Sequence, residues 1–229
     1  MKFDKYNRTA RIYPSIIILI PFLLFTIYCE IDNLNEVFDN VLQIKIIGNI
    51  TISIVLLYFL VQVNRFLGKF LFERNMFKNE LEMPTTNFLL YQDSQFSNEY
   101  KNQLREQIKN DFHIELPTEI EETENIENTR KRIVEAVGLI RQKVKNGRLL
   151  LQHNIEYGFA RNLIGGAIVG LVMSVVDIIY FYGLDNKLIG GISIALASLF
   201  AFLLLIHKPI IKHLGNQYAK RLFQEYIQK

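Results

Sequence analysis

Apolar residues in this chain neither alternate at strand spacing nor keep to one helix face; they pile into four blocks, Pro14 to Cys29, Ile46 to Val63, Leu163 to Tyr182 and Leu188 to Ile206. Each block is about 16 to 20 residues long, near the roughly 20 that a helix needs to cross about 30 Å of hydrocarbon at 1.5 Å per residue. The pattern predicts four transmembrane helices, at about 14–29, 46–63, 163–182 and 188–206, arranged as two hairpins. The first block ends in Tyr28, Cys29 and Glu30 without a small-x-small cleavage pattern, so it is expected to remain as a helix.

Between the second and third blocks the composition turns polar and charged, which predicts a small, mainly helical domain inserted between the hairpins. Its opening, MPTTNFLLYQDSQFS (Met83 to Ser97), holds an apolar-aromatic run at Phe88 to Tyr91 and reads as a short strand or extended segment turning at Asp93 and Ser94. Ser97 then caps a helix with Tyr100, Leu104 and Ile108 on one side and Lys101, Arg105 and Lys109 facing solvent. Thr118 and Glu121 have the form of a capping box. They open a helix expected to run to about Lys145, with an apolar stripe at Ile126, Ile133, Val137, Ile140 and Val144 and with Gly147 ending it. Its acidic residues (Glu119, Glu121, Glu122, Glu124) lie at the amino end and Arg141, Lys143 and Lys145 at the other, a solvated arrangement that the helix dipole favours. A basic face from Arg141 to Arg148 touching anionic lipid is the other reading of that end.

Charge adds orientation. Lys2, Lys5, Arg8 and Arg11 precede the first block; Arg65, Lys69, Arg74 and Lys78 follow the second; Arg148 and Arg161 precede the third; Lys208, Lys212, Lys220 and Arg221 follow the fourth. The opposite side carries Lys45 and Lys187, with Glu30, Asp32, Glu36 and Asp39 in the first loop. Both termini and the insert are therefore expected in the cytoplasm of a cell whose inner membrane holds the chain. The asymmetry accounts for the net charge of +3, so nucleic acid is not expected as a partner. The expected fold class is an all-α integral membrane protein: residues 1–66 form a cytoplasmic tail and the first hairpin, 67–162 the cytoplasmic domain, and 163–229 the second hairpin and a cytoplasmic C-terminal helix.

The stretch HNIEYGFARNLIGG (His153 to Gly166) runs into the third block, so one helix is expected from Arg148 to Tyr182. Along it Gly158, Asn162, Gly166, Gly170 and Ser174 recur every four residues, with Gly165 beside them, a small-residue face that lets another helix approach closely in lipid. Asn154, Tyr157 and Arg161 follow at steps of three and four and, with Asn162, form a candidate gating or ligand-coupling set that clamps the cytoplasmic domain to the bundle. The competing reading makes the stretch a packing junction with Tyr157 and Arg161 as interfacial anchors. Within the third block Asp177 is an ionisable group at a costly place, and Asn49 and Ser53 of the second block share its outer level, which marks the three as possible pore-facing residues; in the other reading Asp177, about one and a half turns from the outer end, simply reaches the interface. Gly190, Gly191, Ala195, Ser198 and Ala201 give the fourth block a small-residue face toward the third.

Catalytic signatures are missing: there is no P-loop, H-E-x-x-H, C-x-x-C or nucleophile elbow, and a single cysteine excludes an internal disulfide or a cysteine zinc cage. The expectation is a non-enzymatic protein with no cofactor and no metal. The block from MPTTNFLLY through NIEYGFARNLIGG resembles uncharacterised bacterial four-helix membrane proteins. The two-plus-two layout is similar to that of membrane effectors encoded beside nucleotide-signalling and other phage-defence systems. The resemblance implies an oligomeric membrane effector or regulated pore in phage defence, whose partners are membrane lipid, further copies of itself and a cytoplasmic protein or nucleotide signal. A membrane anchor or scaffold that recruits a cytoplasmic partner is the alternative.

Overall fold

Helices account for all the regular structure in the computed structural model, which describes residues 4–28, 45–145 and 147–228. In chain order these are α1 (Lys5–Tyr28), α2 (45–76), α3 (Pro84–Asn87), α4 (Asn98–Phe112), α5 (Glu119–Glu124), α6 (Ile126–Lys143), α7 (Arg148–Gly183), α8 (Lys187–Leu205) and α9 (His207–Ile227). Among the described residues, four helices are long and apolar enough to cross a membrane: Lys5–Tyr28, Ile54–Met76, Leu149–Gly183 and Lys187–Leu205. Cys29 and the acidic residues Glu30, Asp32, Glu36 and Asp39 lie outside the described residues.

The chain divides into two units. The first, apolar unit comprises Met1–Lys69 and Phe159–His207. Asp4 starts α1 by accepting the Asn7 backbone N–H at 2.7 Å, and the helix passes through a π segment at Arg8–Ile12. α2 continues past the expected end at Val63, because nothing in NRFLGKF breaks a helix strongly, and it too passes through a π segment, Gly68–Glu73. Wide turns of this kind rearrange the local carbonyl ladder and recur at functional sites. Ile18, Ala167 and Phe200 form the buried centre of the unit.

The second unit comprises Phe70–Gly158 and Lys208–Lys229, so the C-terminal helix α9 packs with the insert. Ala219, Leu222, Phe223 and Tyr226 of α9 share one core with Leu89, Leu104, Ile108, Ile133, Val137, Ile140 and Leu150. The caps are as the sequence predicts. Ser97 accepts from the Tyr100 N–H at 3.2 Å, and in the capping box Thr118 N–H donates to Glu121 Oε2 at 2.7 Å.

Three expectations for this unit are corrected. Phe88 to Tyr91 is not a strand: Pro84 at a helix start and the turns that follow it curl the segment, and side chains take the place of a partner strand. Glu122 accepts the Tyr91 and Gln92 N–H groups at 2.8 and 3.1 Å, while Lys101 Nζ donates to the carbonyls of Leu90 at 2.7 Å, Tyr91 at 3.2 Å and Asp93. Lys101 and Glu122 are therefore buried rather than solvated. Arg105 is turned inward as well, donating to Pro117 O at 2.6 Å and Leu89 O at 2.7 Å with its guanidinium 4.1 Å from the Tyr91 ring centre. Burial holds the Lys101 ammonium pKa below the ordinary lysine value, with Asp93 and Glu122 pulling the other way.

The helix expected from Thr118 to Lys145 is instead broken at Asn125, which leaves helical geometry (φ −148°, ψ 82°) and caps α6 by accepting from Asn128 N–H at 3.0 Å. The break leaves Ile126 exposed while Ile133, Val137, Ile140 and Val144 stay buried. The basic end of α6 is engaged by protein: Arg141 bonds Glu80 Oε2 at 3.1 Å and Thr85 Oγ1 at 3.3 Å, and Lys143 lies 2.5 Å from Asp111. Gly147 leaves room for the Glu225 carboxylate, which accepts the Leu150 N–H at 2.9 Å at the start of α7.

Candidate functional site

In the apolar unit α1, α2 and α7 meet through small and polar residues. Gly68 of α2 lies so close to α7 that a Cβ there would stand 2.5 Å from the Arg161 carbonyl oxygen. A Cβ at Gly165 would stand 2.3 Å from the Gly68 nitrogen and 2.5 Å from the Asn64 carbonyl oxygen. Backbone thus packs on backbone, which only glycine permits. Gly166 meets the side chains of Asn64 and Ile18, and Gly170 meets the ring of Phe200.

Hydrogen bonds fasten the same junction. Pro14 has no N–H to offer the Ala10 carbonyl four residues earlier. Asn162 Nδ2 donates to that carbonyl at 2.6 Å. Asn64 Nδ2 donates to Ser15 Oγ at 3.0 Å, and Ser15 Oγ donates to Arg11 O at 3.0 Å, so a short relay crosses from α2 to α1. All three side chains are buried, where an amide or hydroxyl without a partner is costly.

Several sequence-selected residues are thereby brought together. Arg161 and Asn162 are buried at the junction, and Gly166, Gly170 and Ser174 continue its line, with Ser174 Oγ donating back to Gly170 O at 2.8 Å. Gly166 and Gly170 are taken up by the chain's own helices. Arg161, a surface anchor in one reading, is 7 % exposed. Asn154, Tyr157 and Gly158 stand earlier on α7, in the second unit, where the Tyr157 hydroxyl donates to Glu73 Oε2 at 3.0 Å.

Asp177 lies one turn beyond Ser174 and is wholly buried, with neither carboxylate oxygen hydrogen-bonded among the described residues. Oδ1 of Asn64 and Oδ1 of Asn162 are likewise buried acceptors without a donor among those residues. Asn49 and Ser53 lie on α2, but their side chains fall outside the described ones. On α8 the expected small-residue face is corrected. Ile189, Gly190, Ser193 and Phe200 are the buried residues, whereas Gly191 has nothing within 4 Å of a Cβ position and Ala195 and Ser198 are exposed.

Sequence reasoning missed Ser15, Asn64 and Glu73. Ser15 and Asn64 sit at the ends of apolar blocks, where a polar residue reads as the edge of a span. One signal was available: a proline four residues after Ala10 announces a carbonyl in want of a donor. Comparison with known proteins finds no matching family, no matching curated protein and no matching solved structure.

Proposed function

We propose that the chain is a multi-pass membrane protein of the effector or regulated-pore kind, with its second unit and both termini in the cytoplasm and its spanning helices under the control of that unit. The observation that carries this reading is Asp177. A buried carboxylate with no partner among the described residues, in a span of mean hydropathy 2.2, is an expensive feature for a helix that only anchors. The Oδ1 atoms of Asn64 and Asn162, without a donor among the described residues, extend the same internal polarity. Water, a proton or a cation passing along the inside of the unit would satisfy these acceptors.

Control is supported by the continuity of α7. This one helix of 36 residues contributes Leu150 to the core of the second unit and Ala167 to the core of the apolar unit. Tyr157, which meets Glu73 in the second unit, thus belongs to the same continuous helix as Arg161, Asn162 and Asp177. Four helices cannot by themselves enclose a wide channel, so passage of a solute requires several copies. Because Gly165, Gly166 and Gly170 are packed within the chain, those copies would meet through other faces. The positive flanks favour the cytoplasmic side for the second unit, and phage defence is the setting that the layout resembles.

The test is membrane potential in cells producing matched membrane amounts of wild type, Asp177→Asn, Arg161→Lys and Tyr157→Phe. Wild type is expected to depolarise the membrane, Asp177→Asn to alter the conductance, and the two α7 variants to uncouple it while still inserting. Wild type without effect, or all variants equal to it, would leave an anchor or scaffold in place of a pore.

A further inference from the structure

The second unit contains a cleft of about 470 Å³ lined by Met76, Phe77, Glu82, Asn87, Arg130, Lys208, Pro209 and Lys212. That volume suits a small organic ligand rather than a single water or ion. Three cations line it against one carboxylate, and that carboxylate, Glu82, is already paired with Lys78 at 2.6 Å. Met76, Phe77 and Pro209 supply apolar wall beside the charges.

The site is built in advance of any ligand. Arg130 Nη1 donates to Leu81 O and to Asn87 Oδ1, both at 2.6 Å, which fixes the plane of the guanidinium. Asn87 Nδ2 in turn donates to Glu82 O at 3.0 Å. The wall between Phe77 and Glu82 contains three successive non-glycine residues in left-handed geometry, Lys78, Asn79 and Glu80, with φ of 42°, 57° and 77°. Such a turn is strained for side chains with a Cβ and persists only where its surroundings overdetermine it. Here Thr86 Oγ1 donates to Glu80 O at 2.9 Å, Arg141 bonds Glu80 Oε2 at 3.1 Å, and Glu82 N–H closes on Phe77 O at 3.0 Å. Lys208 and Lys212, one turn apart on α9, complete the cationic side, and Lys208 follows closely on Leu205, the last residue of the fourth apolar helix.

We infer that this cleft binds a phosphate-bearing ligand, with Arg130, Lys208 and Lys212 as donors to the phosphate oxygens and Phe77 and Pro209 against its organic part. A fixed guanidinium beside two ammonium groups matches the charge and the several acceptors of a phosphate. Two sources share that chemistry: an anionic lipid headgroup, since Lys208 follows Leu205 by three residues in the chain, and a soluble phosphorylated signal.

Full-length protein in neutral detergent is titrated calorimetrically with inorganic pyrophosphate. In parallel, its thermal midpoint is measured in nanodiscs of phosphatidylcholine with and without phosphatidate. Three proteins are compared: wild type, Lys208→Gln with Lys212→Gln, and a charge-matched control, Lys131→Gln with Lys220→Gln, which changes exposed lysines outside the cleft. Saturable binding of pyrophosphate by wild type and control, weakened about ten-fold or more in the cleft variant, identifies a soluble phosphate ligand. A midpoint raised by phosphatidate in wild type and control but not in the cleft variant, without pyrophosphate binding, identifies a lipid headgroup. Binding of neither probe, or equal response of all three proteins, overturns the site. The measurement reads binding alone, so a protein that binds phosphate yet never depolarises a membrane keeps the cleft and loses the pore.

Discussion

At the scale of single residues, the charged groups of the second unit act as internal fasteners. Asp111 accepts from Lys143 at 2.5 Å and from the Tyr226 hydroxyl at 2.8 Å. The hydrogen bond from Lys143, more than any other influence, holds the Asp111 carboxyl below the ordinary value of 3.8, with Tyr226 helping and burial opposing. A carboxylate whose folded pKa is depressed contributes stability that is complete above the unfolded value and is lost as pH falls through the folded one. Wild type should therefore lose thermal stability as the pH drops below about 3.8. Because Asp111 is solvent-exposed and its pair with Lys143 is screened, Asp111→Asn should cost only a few tenths of a kcal/mol, about 1 kcal/mol at most, at neutral pH and flatten that acid limb. Circular dichroism melts of both proteins across pH check it, and parallel curves would assign the acid sensitivity to other carboxylates.

At the scale of elements, the two fates of glycine in helices separate cleanly. Gly165 sits where α7 touches the backbone of α2, and neither Gly68 N nor Asn64 O can move aside as a side-chain tip would. Gly165→Ala should destabilise the apolar unit by about 1–3 kcal/mol or more through overpacking. Gly138, in the middle of α6, has nothing within 4 Å of a Cβ position and no positive φ. Gly138→Ala should instead stabilise by about 0.5–1 kcal/mol, because alanine loses less backbone entropy in a helix. Thermal denaturation in one detergent compares the two, and the opposite order of stabilities would mean that α2 and α7 do not cross at Gly165. The same contrast applies to legibility. The four-residue repeat from Gly158 to Ser174 was visible in the chain, but which neighbour each glycine admits was not.

At the scale of the whole molecule, the second unit is made of two stretches separated by two apolar helices, Phe70–Gly158 and Lys208–Lys229. Leu222, Phe223 and Tyr226 of α9 are fully buried in its core. At about 1.5–3 kcal/mol per large buried side chain, these three rival the marginal stability of an entire domain. Deletion of residues 208–229 should leave the insert sensitive to limited proteolysis and able to bind a hydrophobic dye, while the apolar helices still insert. A truncated protein as resistant as wild type would show that α9 is dispensable to that core.

The sequence by itself determined where the long apolar helices lie, where α4 and α5 begin, and that α7 continues unbroken from the polar insert into an apolar span. These follow from local physics: the length of an apolar run, and the short reach of Ser97, Thr118 and Glu121 to nearby backbone N–H groups. Tertiary structure decided the rest. Lys101, Arg105 and Glu122 occupy positions that helical spacing assigns to solvent, yet the curled segment from Leu89 to Asp93 presents backbone groups that they satisfy. Asn162 reads as one more small polar residue in a stripe until α1 brings it the Ala10 carbonyl that Pro14 cannot serve. Arg130, Lys208 and Lys212 are far apart in the chain and share a cleft only because α9 returns to the insert. Spacing along a helix reports which side chains share a face; it cannot report what lies opposite that face, and there the chemistry of this protein is assembled.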